Sequence, residues 1–269
     1  MSVTIAGGLE LHYEIAGAEG EPLLLINGVG DDLGAWAGQV AAFTAAGLRV
    51  VTFDNRGVGR SGGPPGPYLS GEMAADTKAV ADAAGIGPYH VVGVSMGGLI
   101  AQEFALAYPD DVRSVVLANT YARPDAFTRA AFAAWAEVAQ VGGMAMLGRQ
   151  QAPWIFSPAF YERDPATVAR MLAEMQTSPQ APARFADQID VLLTHDALPR
   201  LGELRAPALV IAAADDIIIR PSLSRQLLAA VPRAAWVTVA GGHAAFWEDP
   251  APWNQAILDF IAQWKGVRP

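Results

Sequence analysis

Gly93-Val94-Ser95-Met96-Gly97 sets a serine between two glycines, where the apolar run Tyr89-His90-Val91-Val92 gives way to a helix-like stretch, Gly98 to Ala105. A strand, a sharp reversal and a helix form a nucleophile elbow, and the flanking glycines give clearance that side chains would remove. A serine hydroxyl is a poor nucleophile at neutral pH. It needs a base within hydrogen-bond reach and a carboxylate to orient that base. The five-residue pattern is weak by itself, so the strand-to-helix context gives it its weight.

The chain has four histidines, and their places differ. His12 falls in an alternating run, His90 inside the strand before Ser95, and His195 at the end of a helical region. His243 follows the last strand-like run in Val239-Ala240-Gly241-Gly242-His243. Parallel sheets place their ligand sites on loops at the carboxyl ends of strands, which is also where Ser95 sits, so His243 is the expected base. The carboxylate should lie on another loop at that edge. Leu209-Val210-Ile211-Ala212 runs into Asp215 and Asp216, and periodicity leaves both open. An oxyanion needs two backbone donors. The N–H of Met96, just after the nucleophile, is one candidate. The N–H of Val29, in the loop Asn27-Gly28-Val29-Gly30-Asp31-Asp32, is the other.

These groups must be held by a sheet. Pro22 to Ile26, Leu48 to Phe53, Tyr89 to Val92, Val112 to Ala118, Ala208 to Ala212 and Ala235 to Val239 read as strands, and Leu9 to Ile15 alternates as a half-exposed edge strand. Helical spacing appears at Trp36 to Ala46, Met73 to Ala84 and Trp253 to Trp264. Alternation of this kind predicts an α/β fold with a mainly parallel, doubly wound sheet. Between residues 121 and 200 the rhythm turns helical, with aromatic residues and repeated prolines, and reads as an inserted lid. The expected division is therefore core over 1–120, lid over 121–200 and core again over 201–269. Within the lid, Trp135 and Trp154 are the expected pocket-lining aromatics. Trp36 and Phe43 read as core.

A net charge of −9 without a basic cluster argues against nucleic acid and anionic membrane surfaces as partners. The absence of cysteine excludes disulfides, a thiol nucleophile and thiolate metal sites. No run reads as a signal peptide or a membrane span, so a cytoplasmic location is expected. A homo-oligomer is compatible with the sequence. Asp54 and Arg56 read as an internal ion pair, and Glu248 and Asp249 as caps of the last helix. Asp31 and Asp32 could face a pocket or cap a helix, Asp32 fitting the cap best.

With these residues in view, the chain resembles the α/β-hydrolase superfamily over essentially its whole length. Asp54-Asn55-Arg56-Gly57-Val58-Gly59-Arg60-Ser61 is similar to the family's turn after the fourth strand. Among its branches the chain looks most like 3-oxoadipate enol-lactonases and small carboxylesterases, followed by haloperoxidase- or perhydrolase-like enzymes. The resemblance favours Asp216 over Asp215, with Ala213 standing where a glycine is usual, and gives the order Ser95, Asp216, His243. Asn27 replaces the histidine that usually opens the oxyanion loop, which puts the support of that loop in question. The implied activity is cleavage of an ester or lactone of a small to medium, largely apolar molecule through an acyl-enzyme. No metal or organic cofactor is implied. Arg123, Arg129, Arg149, Arg163, Arg170 and Arg184 would suit an anionic substrate if one pointed inward. A receptor-like relative, or an enzyme using the scaffold for C–C cleavage, acyl transfer, perhydrolysis or rearrangement, are the alternatives.

Overall fold

The computed structural model describes residues 2–266. Eight strands form one sheet: β1 (Ser2–Ala6), β2 (Leu9–Ala16), β3 (Glu21–Ile26), β4 (Leu48–Phe53), β5 (Tyr89–Val94), β6 (Val112–Ala118), β7 (Ala208–Ala213) and β8 (Ala234–Val239). Their order is β1-β2-β4-β3-β5-β6-β7-β8, antiparallel from β1 to β4 and parallel from there on. The uninterrupted apolar runs are the inner strands, because a strand covered on both faces has no solvent side. Every residue of β5 and β7 is buried.

The pleat sends alternate residues to opposite layers. Leu24, Ile26, Val91, Val115 and Leu117 join one core with α2 (Ser70–Ala84), α3 (Met96–Ala107) and α8 (Pro221–Ala230). Leu23, Leu25, Val92, Val116 and Ile211 join the other, with Trp36, Phe43 of α1 (Ala37–Ala45), Phe246 of α9 (Ala245–Glu248), and Trp253 and Ile257 of α10 (Pro250–Ala262). The sheet is thus wound on both faces. Its strand order reverses direction between β3 and β5, and such a switch opens a crevice at the carboxyl ends of both strands.

The expected edge strand is not at the edge. β1 pairs outside it, from Ser2 opposite Tyr13 to Ala6 opposite Leu9. Gly7 and Gly8, at φ 56° and 88°, close the two-residue turn that joins them, a conformation that side chains disfavour.

Four helices lie between β6 and β7: α4 (Ala126–Ile155), α5 (Pro158–Arg163), α6 (Pro165–Gln176) and α7 (Pro182–Thr194). By length and composition alone, α4 is apolar enough to cross a membrane, which the sequence reading did not anticipate. Gly143, at φ 72° and ψ 178°, breaks it into two helices, and Phe132, Trp135, Ala139 and Leu147 pack into the core beside β6 and α7.

Candidate active site

Ser95 follows β5 directly and opens α3. Its backbone, at φ 54° and ψ −120°, is rare for a side-chain-bearing residue. The turn is held by the Ser95 N–H donating to the Ala118 carbonyl at 2.9 Å, while the Ser95 carbonyl accepts from Gly98 N–H at 2.9 Å and Thr120 Oγ1 at 2.8 Å. Its tightness explains both glycines. A Cβ on Gly93 would stand 2.2 Å from the Gly97 carbonyl oxygen, and one on Gly97 would stand 2.1 Å from that of Ile26.

The Ser95 hydroxyl lies 3.0 Å from Nε2 of His243, and Nδ1 of His243 lies 2.7 Å from Oδ2 of Asp216. A carboxylate only accepts, so the imidazole proton resides on Nδ1 and leaves Nε2 free to accept from Ser95. Asp216 is buried and fully employed. Its Oδ1 accepts from the N–H groups of Ile218 and Ile219 at 3.0 and 2.8 Å, and Oδ2 also accepts from Asn119 Nδ2 at 3.0 Å. Asp215 is exposed and contributes its backbone instead, donating to the Gly241 carbonyl at 2.9 Å and joining the two loops. A hydroxyl so placed can pass its proton to Nε2 as it attacks a carbonyl carbon.

Ser95 and His243 open into a cavity whose wall includes Gly28, Val29 and Asp31 from the loop after β3. Trp135, Leu147, Gln151, Met175 and Phe185 from the helical insertion, and Phe246 and Trp247 from α9, complete much of the rest. Its volume is about 90 Å³, which corresponds to roughly six to nine ordered waters. Among the described residues, neither the Val29 N–H nor the Met96 N–H donates to an acceptor. Val29 lines the cavity, whereas the Met96 side chain is fully buried and its N–H is the first of α3, which the helix leaves unpaired.

The β3 loop is supported despite its asparagine. Asn27 Nδ2 donates to the Phe53 carbonyl at 3.0 Å, and Asn55 Nδ2 donates to the Asn27 carbonyl at 3.2 Å. Gln188 of α7 accepts from the Gly30 N–H at 2.9 Å and donates to the Arg56 carbonyl at 2.9 Å. Asp32 caps the short helical turn after it, accepting from Gly34 N–H at 2.8 Å, while Asp31 faces the cavity.

Residues 21–250 match the family described as the alpha/beta hydrolase fold. The chain belongs to that family. This α/β hydrolase is 35% identical to "Putative carbamate hydrolase RutD" of Azorhizobium caulinodans over 96% of its own length and 97% of the relative's. It is 34% identical to "Putative non-heme bromoperoxidase BpoC" of Mycobacterium tuberculosis, covering 96% of this chain and 99% of that one. The crystal structure of the enol-lactonase from Burkholderia xenovorans LB400 superposes with a TM-score of 0.89 at 29% identity, covering 97% of this chain and all of that one.

Several sequence expectations for this α/β hydrolase need correction. Trp154 is not among the residues lining the cavity; its ring packs on Phe127, with centroids 6.2 Å apart. Trp135 does line it and is held edge-on by Phe132 at 5.3 Å. None of the six arginines at positions 123, 129, 149, 163, 170 and 184 is among the residues lining the cavity; each is engaged elsewhere. Arg123 pairs with Asp196, for example, and Arg163 donates to the Glu248 carbonyl. Asp54 and Arg56 do not pair with one another. Asp54 accepts from the N–H groups of Leu33 and Arg60 at 2.7 and 2.8 Å, whereas Arg56 grips Asp76 through Nε and Nη2 at 2.6 and 2.9 Å. Glu248 caps no helix with its carboxylate. It accepts from Gly242 N–H at 3.0 Å and from both the N–H and the hydroxyl of Ser157, tying the His243 loop to the start of α5. Asp249 precedes α10 without a side-chain capping bond.

Proposed function

We propose that this chain is a serine hydrolase that cleaves an ester or lactone of a small, largely apolar molecule through an acyl-enzyme. The observation that carries this reading is the unbroken relay from Ser95 Oγ through His243 to Asp216, at 3.0 and 2.7 Å, opening into an aromatic-walled cavity. His243 takes the Ser95 proton as the oxygen attacks the substrate carbonyl. The imidazolium formed is stabilised by Asp216, whose three other hydrogen bonds, from Ile218, Ile219 and Asn119, fix it in place. The unpaired N–H groups of Val29 and Met96 are suited to receive the oxyanion, and a donor in such a position is commonly worth about 3 kcal/mol. Imidazolium then protonates the leaving alcohol. A water deprotonated by His243 releases the acid and restores the serine.

The helical insertion acts as a lid in this reading, because α4, α6 and α7 supply much of the cavity wall and keep bulk water off the reacting carbonyl. The names of two relatives, a carbamate hydrolase and an enol-lactonase, both denote attack on an acyl carbonyl, which agrees with this chemistry. The test is a panel of esters, lactones and thioesters of graded acyl length with purified protein. Turnover should centre on short esters or lactones and vanish in Ser95→Ala. Turnover that survives in Ser95→Ala would refute the mechanism.

A further inference from the structure

The Asp31 carboxyl stands in the cavity with no hydrogen-bond donor and no cation paired to it among the described residues. A Cβ on Gly28 would come within 3.0 Å of Asp31 Oδ2 and 3.6 Å of Ser95 Cβ, so the carboxyl and the nucleophile flank the space that one missing methyl leaves. Among the described residues of the wall, Asp31 and His243 are the only ionisable ones, and four of the others are aromatic: Trp135, Phe185, Phe246 and Trp247.

A carboxyl in this position brings no gain to the fold. Half-buried in the cavity wall and unpaired, its charge is costly, and its negative charge beside Ser95 opposes the developing oxyanion. Burial accordingly raises it to about 7, with the Asp32 charge adding to the rise and His243 countering it. What the site lacks is a positive charge, and its aromatic walls suit one, since ring faces attract cations, quaternary ammonium groups included.

Building on the hydrolase reading, we propose that Asp31 determines specificity, selecting acyl substrates that carry an alkylammonium group close to the scissile carbonyl. The cation neutralises Asp31 and rests against the aromatic wall, which removes the penalty on the oxyanion. Anionic substrates meet like charge and no arginine.

The test compares acetylcholine, the acetate ester of choline, with 3,3-dimethylbutyl acetate, which has the same shape without the charge, at pH 8 and low salt. In the wild type kcat/KM should favour the choline ester by about tenfold, and in Asp31→Asn the ratio should fall to near one. Equal rates for the two esters in the wild type would overturn the proposal even if the variant failed to fold. So would a preference that survives in Asp31→Asn. Absence of turnover for both esters counts against the hydrolase reading, and the subsite is then decided by calorimetry on Ser95→Ala. Choline binding there that disappears in Ser95→Ala/Asp31→Asn supports it; no choline binding overturns it.

Discussion

The carboxylate of Glu248 holds Ser157 twice, accepting from its backbone N–H at 2.8 Å and from its hydroxyl at 2.5 Å. A third bond, from Gly242 N–H, brings the loop of His243 into the same buried knot, and Ala244 N–H adds a fourth tie by donating to the Ile155 carbonyl at 3.0 Å. Four hydrogen bonds therefore fasten the imidazole loop to the junction of α4 and α5. Glu248→Ala strips the acceptor from three buried donors, a loss of about 2–3 kcal/mol. We expect kcat to fall by about tenfold while KM stays within about twofold, with Glu248→Gln recovering much of the rate. Kinetics well below the unfolding temperature check this, since a purely structural contact would lower Tm and leave kcat intact.

Gln188 does for the β3 loop what Glu248 does for the histidine loop. Its side chain is buried and spans the Gly30 N–H and the Arg56 carbonyl. Gln188→Ala should free the segment bearing the Val29 N–H and lower kcat by about tenfold, again more than it raises KM, because an oxyanion donor acts mainly in the transition state. Gln188→Glu keeps the acceptor for Gly30 and should retain more activity than the alanine variant. The rate ratio of the two variants on one ester measures this.

Gly97→Ala should be severe. The added carbon would sit 2.1 Å from the Ile26 carbonyl oxygen, and 2.7 Å from that of Asn27, both backbone atoms at the carboxyl end of β3. Such overpacking costs about 3 kcal/mol or more. A urea melt should show the loss, and activity per folded molecule should fall too, because α3 can relax only by shifting Ser95.

Two buried histidines should make the fold sensitive to acid. Burial holds His90 and His195 down to about 4; Glu21 and Arg113 act in opposite senses on the first, and Glu103 and Asp196 oppose Arg200 at the second. The unfolded chain takes up these protons near pH 6.5 and the folded chain does not, so stability is complete above pH 6.5 and is lost as pH falls towards 4. Each histidine accounts for up to about 3 kcal/mol of that loss. Urea midpoints measured from pH 7 to 4 should fall in this window. In His195→Gln, which retains polar groups for Ser70 and Gln102, the fall should be shallower.

Much of the site was legible because its geometry is local. An apolar run, small residues on each side of Ser95 and a helix encode the elbow, and histidine and aspartate at strand ends share its edge by topology. β1 was not legible because it is only five residues long and the apolar side chains of its alternating pattern, Val3 and Ile5, face solvent, though Gly7-Gly8 marked its turn. Trp135 and Trp154 could not be told apart, since which ring faces inward depends on the break at Gly143 and on packing against Phe127. Asn119, Gln188 and Glu248 lay beyond reach for a different reason. Each acts across a long stretch of chain, 91 residues for Glu248 and Ser157, and only the folded sheet creates those contacts.

The most direct trial of the account is mass spectrometry after exposure to an alkyl phosphonate ester, which forms a stable bond with an activated serine. We predict a single adduct on the peptide carrying Ser95, formed quickly in the wild type, slowed at least about a hundredfold in His243→Ala and absent in Ser95→Ala. An adduct on another residue, or equal labelling with and without His243, would contradict it.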